Sequence, residues 1–288
     1  MNTNAFPIPW QQRDRLALPV AELRKVAHAL RRQVIKLVRR HGQGYVQQGL
    51  GAAEIFASLY FNDARIDPAH PRWEERDRCI LSTAHNSALF HAALALRGMI
   101  PAELLDDYIK DGSALEINVS ERLGPVVEGT FGSLGQGLSV AAGMAAASRI
   151  SGVDYRVNVI LGDGELEEGQ VWEAAMFAGS QRLNNLCVIL DLNWMQVEGH
   201  TDDVLRLAPI ADKWLAFGWN VIELDGHDLC ALLKAFADAR AETTKPTIIV
   251  ATTVPGKGVS LLEGIISHNA KLPAEVADAA LEELGEIA

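Results

Sequence analysis

The chain has 288 residues, of which 49% are hydrophobic and 22% are charged, and its formal net charge is −11. This composition is typical of a globular protein and excludes a disordered chain. The acidic balance argues against a nucleic-acid or anionic-membrane surface, although a bound cation can reverse the field inside a site. No apolar run approaches the roughly 18–20 residues that cross a bilayer. The opening residues, MNTNAFPIPWQQRDR, lack the apolar core of a signal peptide. The three cysteines are scattered along the sequence, which predicts that the protein is located in the reducing cytoplasm.

The first half of the chain predicts helices. Apolar residues at spacings of three and four over residues 20–40 indicate an amphipathic helix. Further helices are predicted over residues 52–61, over SALFHAALALRG (87–98), and over the Ala- and Gly-rich stretch 135–150. Residues 1–19 are expected to form a poorly structured or arm-like N-terminus.

The second half predicts strands that alternate with helices. The apolar runs YRVNVILGDG, LCVILDLN, WNVIELDG and PTIIVATT read as strands, and helices are predicted up to residue 177 and over LCALLKAFADAR. Near-continuous apolar strands of this kind are typical of a parallel sheet that is covered on both faces. The sequence therefore predicts an α/β fold, a parallel sheet flanked by helices on both faces, as a single domain over residues 1–288.

Polar residues follow two of these strands. Asp163 comes directly after the first strand, and Asn193 follows the second, 30 positions later. Both are expected at the carboxyl edge of the sheet, where open α/β sheets bind ligands. Carboxylate, amide and carbonyl oxygens suit Mg²⁺ or Ca²⁺, with phosphate oxygens completing the shell. Gly162 and Gly164 allow a sharp turn close to a ligand. The alternative is that Asp163 caps a helix and Asn193 lies in an ordinary turn.

The stretch GDGELEEGQVWEAAMFAGSQRLNNLCVILDLNWMQVEG resembles the thiamine-diphosphate signature of transketolases. The resemblance extends from about residue 20 to 284 and includes RDRCILSTAHNSALFHAAL, GSLGQGLSVAAGMA, ELDGHD and ATTVPGKGVSLLEG. It covers only the first third of a full transketolase, the domain that holds the diphosphate of the cofactor. The chain is therefore similar to the N-terminal subunit of split transketolases, whose pyrimidine-binding domain lies on another chain.

The resemblance implies roles for particular residues. Asp163 and Asn193 would bind Mg²⁺ (or Ca²⁺ or Mn²⁺) through their side chains, and Met195 through its carbonyl. Glu168 would meet the partner's glutamate that protonates the cofactor's aminopyrimidine, and Glu173 would belong to a glutamate network at the subunit interface. Further contacts with thiamine diphosphate are implied for residues on several loops: Gly132, Leu134, Gly162, Asp163, Gly164, Glu165, Asp191 and Asn193.

Two histidines are implied in catalysis. His85 would face the diphosphate and the reaction centre, but it could instead be a buried histidine bonded to the backbone. His268 would lie over the diphosphate or the substrate, in a loop whose length does not match the family. Glu168 and Glu173 could instead stabilise a helix dipole. His91 and His227 are interpreted as structural.

The chain departs from the family pattern at two positions where transketolases carry histidines that contact the sugar. Tyr45 falls at the first position and Asn118 at the second. Since two potential cations are lost, acceptor hydroxyls should be bound differently. We expect a substrate unlike the common xylulose and ribose phosphates, such as a branched ketose phosphate (apulose 4-phosphate, for example) or a sulfonated ketose.

The implied activity is transfer of a two-carbon ketol unit from a ketose to an aldose, by a cytoplasmic α2β2 heterotetramer in which this chain alone is inactive. Two alternatives remain open at this point: an α-type subunit of a 2-oxoacid dehydrogenase, and a non-catalytic binding or regulatory homologue. A flavodoxin-like or nicotinamide enzyme is disfavoured, because no matching glycine turn follows the first strand.

Overall fold

A computed structural model describes residues 14–42, 44–265 and 271–286. Its strands are β1 (Arg78–Leu81), β2 (Val157–Gly162), β3 (Leu186–Leu192), β4 (Met195–Gln196), β5 (Gly199–His200), β6 (Asn220–Asp225) and β7 (Thr247–Thr252). Five of them form a wholly parallel sheet in the order β1-β2-β3-β7-β6, and β4 pairs with β5 in a short antiparallel hairpin. The predicted parallel sheet is therefore confirmed.

The helices are α1 (Val20–His41), α2 (Val46–Gly51), α3 (Ala53–Ser58), α4 (Ser87–Leu96), α5 (Gln136–Ser151), α6 (Gly169–Ser180), α7 (Thr201–Val204), α8 (Ile210–Ala216), α9 (Leu229–Ala241) and α10 (Ala274–Leu284). A π-helical turn, Leu59–Asp63, extends α3, and a 3-10 turn, Asp163–Glu167, precedes α6. None of these helices combines the length and the apolarity needed to cross a membrane.

The helix predicted over residues 52–61 corresponds to α3 and the π-helical turn, which together run from residue 53 to 63. The separate short helix α2 precedes it and was not predicted, and the two helices are divided by a break at Ala52 (ψ 7°). A Cβ atom at Gly51 would lie 3.0 Å from the carbonyl oxygen of Val254, so the chain passes this point in close contact with the segment after β7. The break therefore lies beside a tertiary contact that local spacing does not show.

Residues 14–19 of the predicted arm are tied to the domain. Arg15 forms an isolated bridge with Arg65, the Leu18 amide donates to the carbonyl of Phe61, and Asn62 donates to the carbonyl of Leu18. Residues 1–13 lie outside the described part of the chain.

Apolar side chains cover both faces of the sheet. On one face, Val159, Val188 and Val250 pack with α5, α6 and α8. On the other face, residues such as Ile160 and Ile249 pack with α1, α3, α4 and α9. The connections from β1 to β2 and from β2 to β3 run across the sheet in one direction, whereas α9 connects β6 to β7 in the opposite direction. Because such crossovers are right-handed, α9 lies on the opposite face of the sheet from α6. The carboxyl ends of β2 and β3 lie side by side, with Gly162 paired to Asp191.

Candidate cofactor site

A cleft of about 370 Å³ opens at the carboxyl edge of β2 and β3. The cleft brings together residues that the sequence predicts from four separate parts of the chain. It is lined by ten of the predicted residues: His85, Leu134, Gly162, Asp163, Gly164, Glu165, Glu168, Asp191, Asn193 and Met195.

Asp163 lies at the floor of the cleft and is 1% exposed. Its carboxylate accepts hydrogen bonds from the backbone N–H of Gly164 (3.0 Å) and of Trp194 (2.6 Å). The residue opens the 3-10 turn, whereas α6 begins at Gly169 with Glu168 as its N-cap. Asp163 therefore does not cap α6, and the alternative role suggested by the sequence does not hold.

Asp191 and Asn193 lie beside it at the end of β3. Asp191 is 1% exposed; one carboxylate oxygen accepts from the Thr253 hydroxyl, and the other accepts from the Asn193 amide nitrogen at 3.2 Å. The Asn193 amide oxygen accepts from the Met195 N–H at 3.0 Å. Trp194, between Asn193 and Met195, adopts a left-handed conformation (φ 61°), which is unusual for a bulky side chain. The residues on either side of it line the cleft.

The electrostatics of this pair favour a bound cation. Burial, reinforced by the negative charge of Asp191, raises the pKa of Asp163 well above its ordinary value. Burial also raises the pKa of Asp191, although hydrogen bonds from Thr253 and Asn193 oppose the shift. Within the described part of the chain, neither carboxylate forms an ion pair with a lysine or arginine. Buried carboxylates are stable when paired or bound to metal, so these residues fit a divalent cation.

The donor set also indicates which kind of cation fits. Across the described ranges, no group of three His, Cys, Asp or Glu side chains is arranged to enclose a metal. The donors that the family resemblance implies are the carboxylate of Asp163, the amide oxygen of Asn193 and the carbonyl of Met195, and all three residues line the cleft. Mg²⁺ is commonly held by one or two protein carboxylates, with phosphate and water oxygens as its remaining ligands. The site therefore fits Mg²⁺ bound together with a diphosphate.

Glu165 forms the wall of the cleft and is 2% exposed. Its carboxylate accepts from the Ser82 hydroxyl (2.6 Å) and from the backbone N–H groups of Gly135 (2.9 Å) and Gly162 (2.9 Å). Burial raises the pKa of this carboxyl group, and the three hydrogen bonds oppose that shift. Glu165 thus joins the ends of β1 and β2 to the start of α5.

The two positions that depart from the family pattern lie next to predicted site residues. The ring of Tyr45 packs edge-on against the ring of His85, with 4.8 Å between the centroids. A Cβ atom at Gly132 would lie 3.5 Å from the amide nitrogen of Asn118. His85 is half-buried and lines the cleft, whereas Tyr45, Gly132 and Asn118 lie outside its lining.

Glu173 and His268 remain to be placed relative to the cleft, and the structure describes only the first of them. Glu173 is exposed on α6, beside the exposed apolar side chains of Met176 (55%) and Phe177 (47%). His268 lies outside the described residues, so its predicted role stays a prediction.

Sequence reasoning missed several residues of this region. Thr83 and Gln48 line the cleft, and Thr253 donates to Asp191 from the end of β7. The strand-end argument that found Asp163 and Asn193 applies equally to Thr253, which follows directly after a strand. The missing information was that β7 is the neighbour of β3 in the sheet.

Comparison with known proteins agrees with this geometry. Residues 23–286 match the family described as Transketolase, thiamine diphosphate binding domain. The chain belongs to the transketolase family. It is 42% identical over 264 residues to the 6-deoxy-6-sulfo-D-fructose transketolase subunit SqwG of Clostridium sp. (strain MSTE9), covering 91% of this chain and 96% of that one. It is 34% identical over 257 residues to an apulose-4-phosphate transketolase subunit of Phocaeicola vulgatus, covering 89% and 91% of the two chains.

Solved transketolase structures share the fold. The transketolase of Campylobacter jejuni superposes with a TM-score of 0.87 at 31% identity, over 93% of this chain and 43% of that chain. The chain thus spans less than half the length of this solved transketolase. These comparisons confirm the predicted family, the α/β fold, the thiamine-diphosphate-binding domain and the transketolase class of transferase.

Proposed function

We propose that this chain binds the diphosphate end of thiamine diphosphate in a two-chain transketolase, and that the assembled enzyme transfers a two-carbon ketol unit from a ketose to an aldose. The observation that carries the proposal is the buried pair of carboxylates, Asp163 and Asp191, which lies in the cleft with Asn193. Among the described residues, no lysine or arginine forms an ion pair with either carboxylate. A divalent cation that also chelates the diphosphate supplies the positive charge that this pair lacks.

The chain's own residues anchor and shield the cofactor. Asp163, Asn193 and the carbonyl of Met195 would hold Mg²⁺, and the glycines beside Asp163 let the backbone approach the diphosphate. When bound, thiamine diphosphate supplies the nucleophilic carbon and the electron sink for ketol transfer. Glu165 fixes the wall of the cleft through its three hydrogen bonds, so the anchoring groups are held in place before the cofactor arrives.

A partner chain with the pyrimidine-binding domain would complete the active site, in an α2β2 assembly. Two relatives are named as subunits, and this chain spans less than half of the Campylobacter jejuni transketolase. Glu168 is exposed at the rim of the cleft, where a partner side chain can reach it. Met176 and Phe177 beside Glu173 form an exposed apolar surface on α6 that suits a subunit contact. The three cysteines are free, which supports the cytoplasm as its location.

The substrate would be a modified ketose, either sulfonated or branched. Two similar proteins carry names that specify 6-deoxy-6-sulfo-D-fructose and apulose 4-phosphate. Tyr45 places an aromatic ring against His85, and Asn118 places a neutral amide beside Gly132. Neither side chain offers the positive charge of a protonated histidine, so both positions favour a sugar with a different pattern of hydroxyl groups.

Calorimetric titration of thiamine diphosphate and Mg²⁺ into the chain, purified with its partner, tests the proposal. Asp163→Asn removes the only charged group among the three metal donors and should weaken binding by on the order of 100-fold or more. Asp154→Asn is the matched control, because Asp154 is an exposed carboxylate outside the cleft. Equal affinity of the wild type and Asp163→Asn would contradict the proposal.

A further inference from the structure

We propose that His227 and Thr253 are positioning residues for the metal site, because hydrogen bonds on either side of the Thr253–Val254 peptide link connect a buried ion pair to Asn193. The inference rests on the proposed function, since Asn193 matters here as the amide that faces Mg²⁺. The path begins on α1, crosses the loop after β6 and ends at the carboxyl edge of β3.

The first part of the path is a rigid ion pair. Arg31 and Glu54 are 8% and 9% exposed, and the guanidinium donates two parallel hydrogen bonds to the carboxylate, at 2.7 and 2.6 Å. Arg31 also donates through Nε to the carbonyl of Leu50 at 3.0 Å. Bidentate pairs of this kind have a well-defined geometry, so the carboxylate of Glu54 is a fixed acceptor.

His227 connects this acceptor to the segment after β7. Its Nδ1 lies 3.2 Å from Glu54 Oε2, and its Nε2 lies 2.9 Å from the backbone nitrogen of Val254. A backbone N–H can only donate, so Nε2 accepts and the hydrogen of the neutral ring lies on Nδ1, where it points at Glu54. One partner on each nitrogen therefore fixes both the tautomer and the plane of the ring.

The segment held by His227 carries the next contact. Thr253 donates a backbone hydrogen bond to the carbonyl of Leu192 at 3.0 Å, and its hydroxyl donates to one oxygen of Asp191. The other oxygen of Asp191 accepts from the amide nitrogen of Asn193 at 3.2 Å. Thr253 is 3% exposed, so water does not compete for its hydroxyl.

The last contact determines which end of the Asn193 amide faces the metal. An amide has a donor end and an acceptor end, and Asp191 takes the donor end. The oxygen then lies on the other side, where it accepts from Met195 N–H and is available to a cation. Partners behind a metal ligand that fix its orientation commonly change metal affinity by roughly 10- to 100-fold when they are lost.

Four variants separate positioning from packing. Thr253→Val removes the hydroxyl at nearly constant shape, and Thr253→Ser retains it. His227→Phe removes both nitrogens, and His227→Gln keeps an acceptor for the Val254 amide. Thr252→Val is the matched control, because Thr252 is an exposed neighbour at the end of the same strand.

Two readouts apply to each variant: the affinity for Mg²⁺ with saturating thiamine diphosphate, in the complex with the partner, and amide hydrogen exchange over residues 191–196. Thr253→Val and His227→Phe should weaken Mg²⁺ binding by roughly 10- to 100-fold and speed exchange of the Met195 amide. Thr253→Ser, His227→Gln and Thr252→Val should behave as the wild type.

Unchanged affinity and exchange in Thr253→Val would overturn the inference, and so would equal losses in the Ser and Val variants, which would show a packing role. If the wild type binds neither Mg²⁺ nor thiamine diphosphate, the proposed function fails. Hydrogen exchange of the Met195 amide can be measured without any ligand. Comparing its rate in the variants and the wild type therefore still tests whether His227 and Thr253 position Asn193.

Discussion

Replacing His91 should remove a large part of the pH dependence of folding stability. His91 lies on α4 with no exposed surface and packs edge-on against the ring of Tyr108, with 5.8 Å between centroids. Neither of its ring nitrogens has a hydrogen-bond partner among the described residues. Burial lowers the pKa of this histidine to about 3.

The size of the effect follows from proton linkage. The unfolded chain binds the proton below about pH 6.5, whereas the folded chain does not bind it until about pH 3. The contribution of neutral His91 to stability is therefore complete above pH 6.5 and is lost as the pH falls through the interval between the two values. At pH 5 the loss relative to pH 8 is about 2 kcal/mol.

Urea unfolding at pH 5 and pH 8 measures this difference for the wild type, His91→Leu and His91→Gln. Both variants lack the titrating ring, so each should lose about 2 kcal/mol of the wild-type difference between the two pH values. Other buried groups contribute equally to the pH dependence of the wild type and of each variant, so their contributions cancel when the two are subtracted. His91→Leu should also be more stable than His91→Gln, because it buries no unpaired polar group. A wild-type pH dependence in both variants would refute the reasoning.

Three further predictions concern stability and specificity. Glu165→Ala leaves two buried donors and one half-buried donor without an acceptor and should lower the free energy of unfolding by about 3 kcal/mol in urea titrations; unchanged stability would contradict this. Arg240→Met leaves Asp63 buried without its 2.6 Å ion pair and should cost about 3–5 kcal/mol in the same assay, whereas a neutral effect would show that the pair is not needed. The double variant Tyr45→His and Asn118→His should raise activity on ordinary pentose phosphates relative to the native substrate, and an unchanged ratio would contradict the specificity argument.

The elements that the sequence predicts well have strong local signals. The apolar spacing of α1 marks its buried face, so the predicted range 20–40 nearly equals the observed Val20–His41. The close approach of Gly51 to Val254, beside the break at Ala52, has no such signal, because the two residues lie far apart in the chain.

The candidate site divides in the same way. Asp163 and Asn193 could be found because each directly follows an apolar strand and parallel strands end at a common edge. The roles of Gly132 and Leu134 came only from the family resemblance, since nothing in their local sequence indicates a ligand. His227 and Thr253 could not be connected to the site, because their contacts require the order of β3, β7 and β6 in the sheet.

The most direct test of the central claim is the composition of the native complex. The tagged chain would be purified gently from its native host with Mg²⁺ and thiamine diphosphate, and the complex analysed by mass spectrometry and for bound cofactor. The account predicts a stoichiometric second chain with a pyrimidine-binding domain, stoichiometric thiamine diphosphate, and ketol transfer from a sulfonated or branched ketose. A chain that is isolated alone and without cofactor would contradict it.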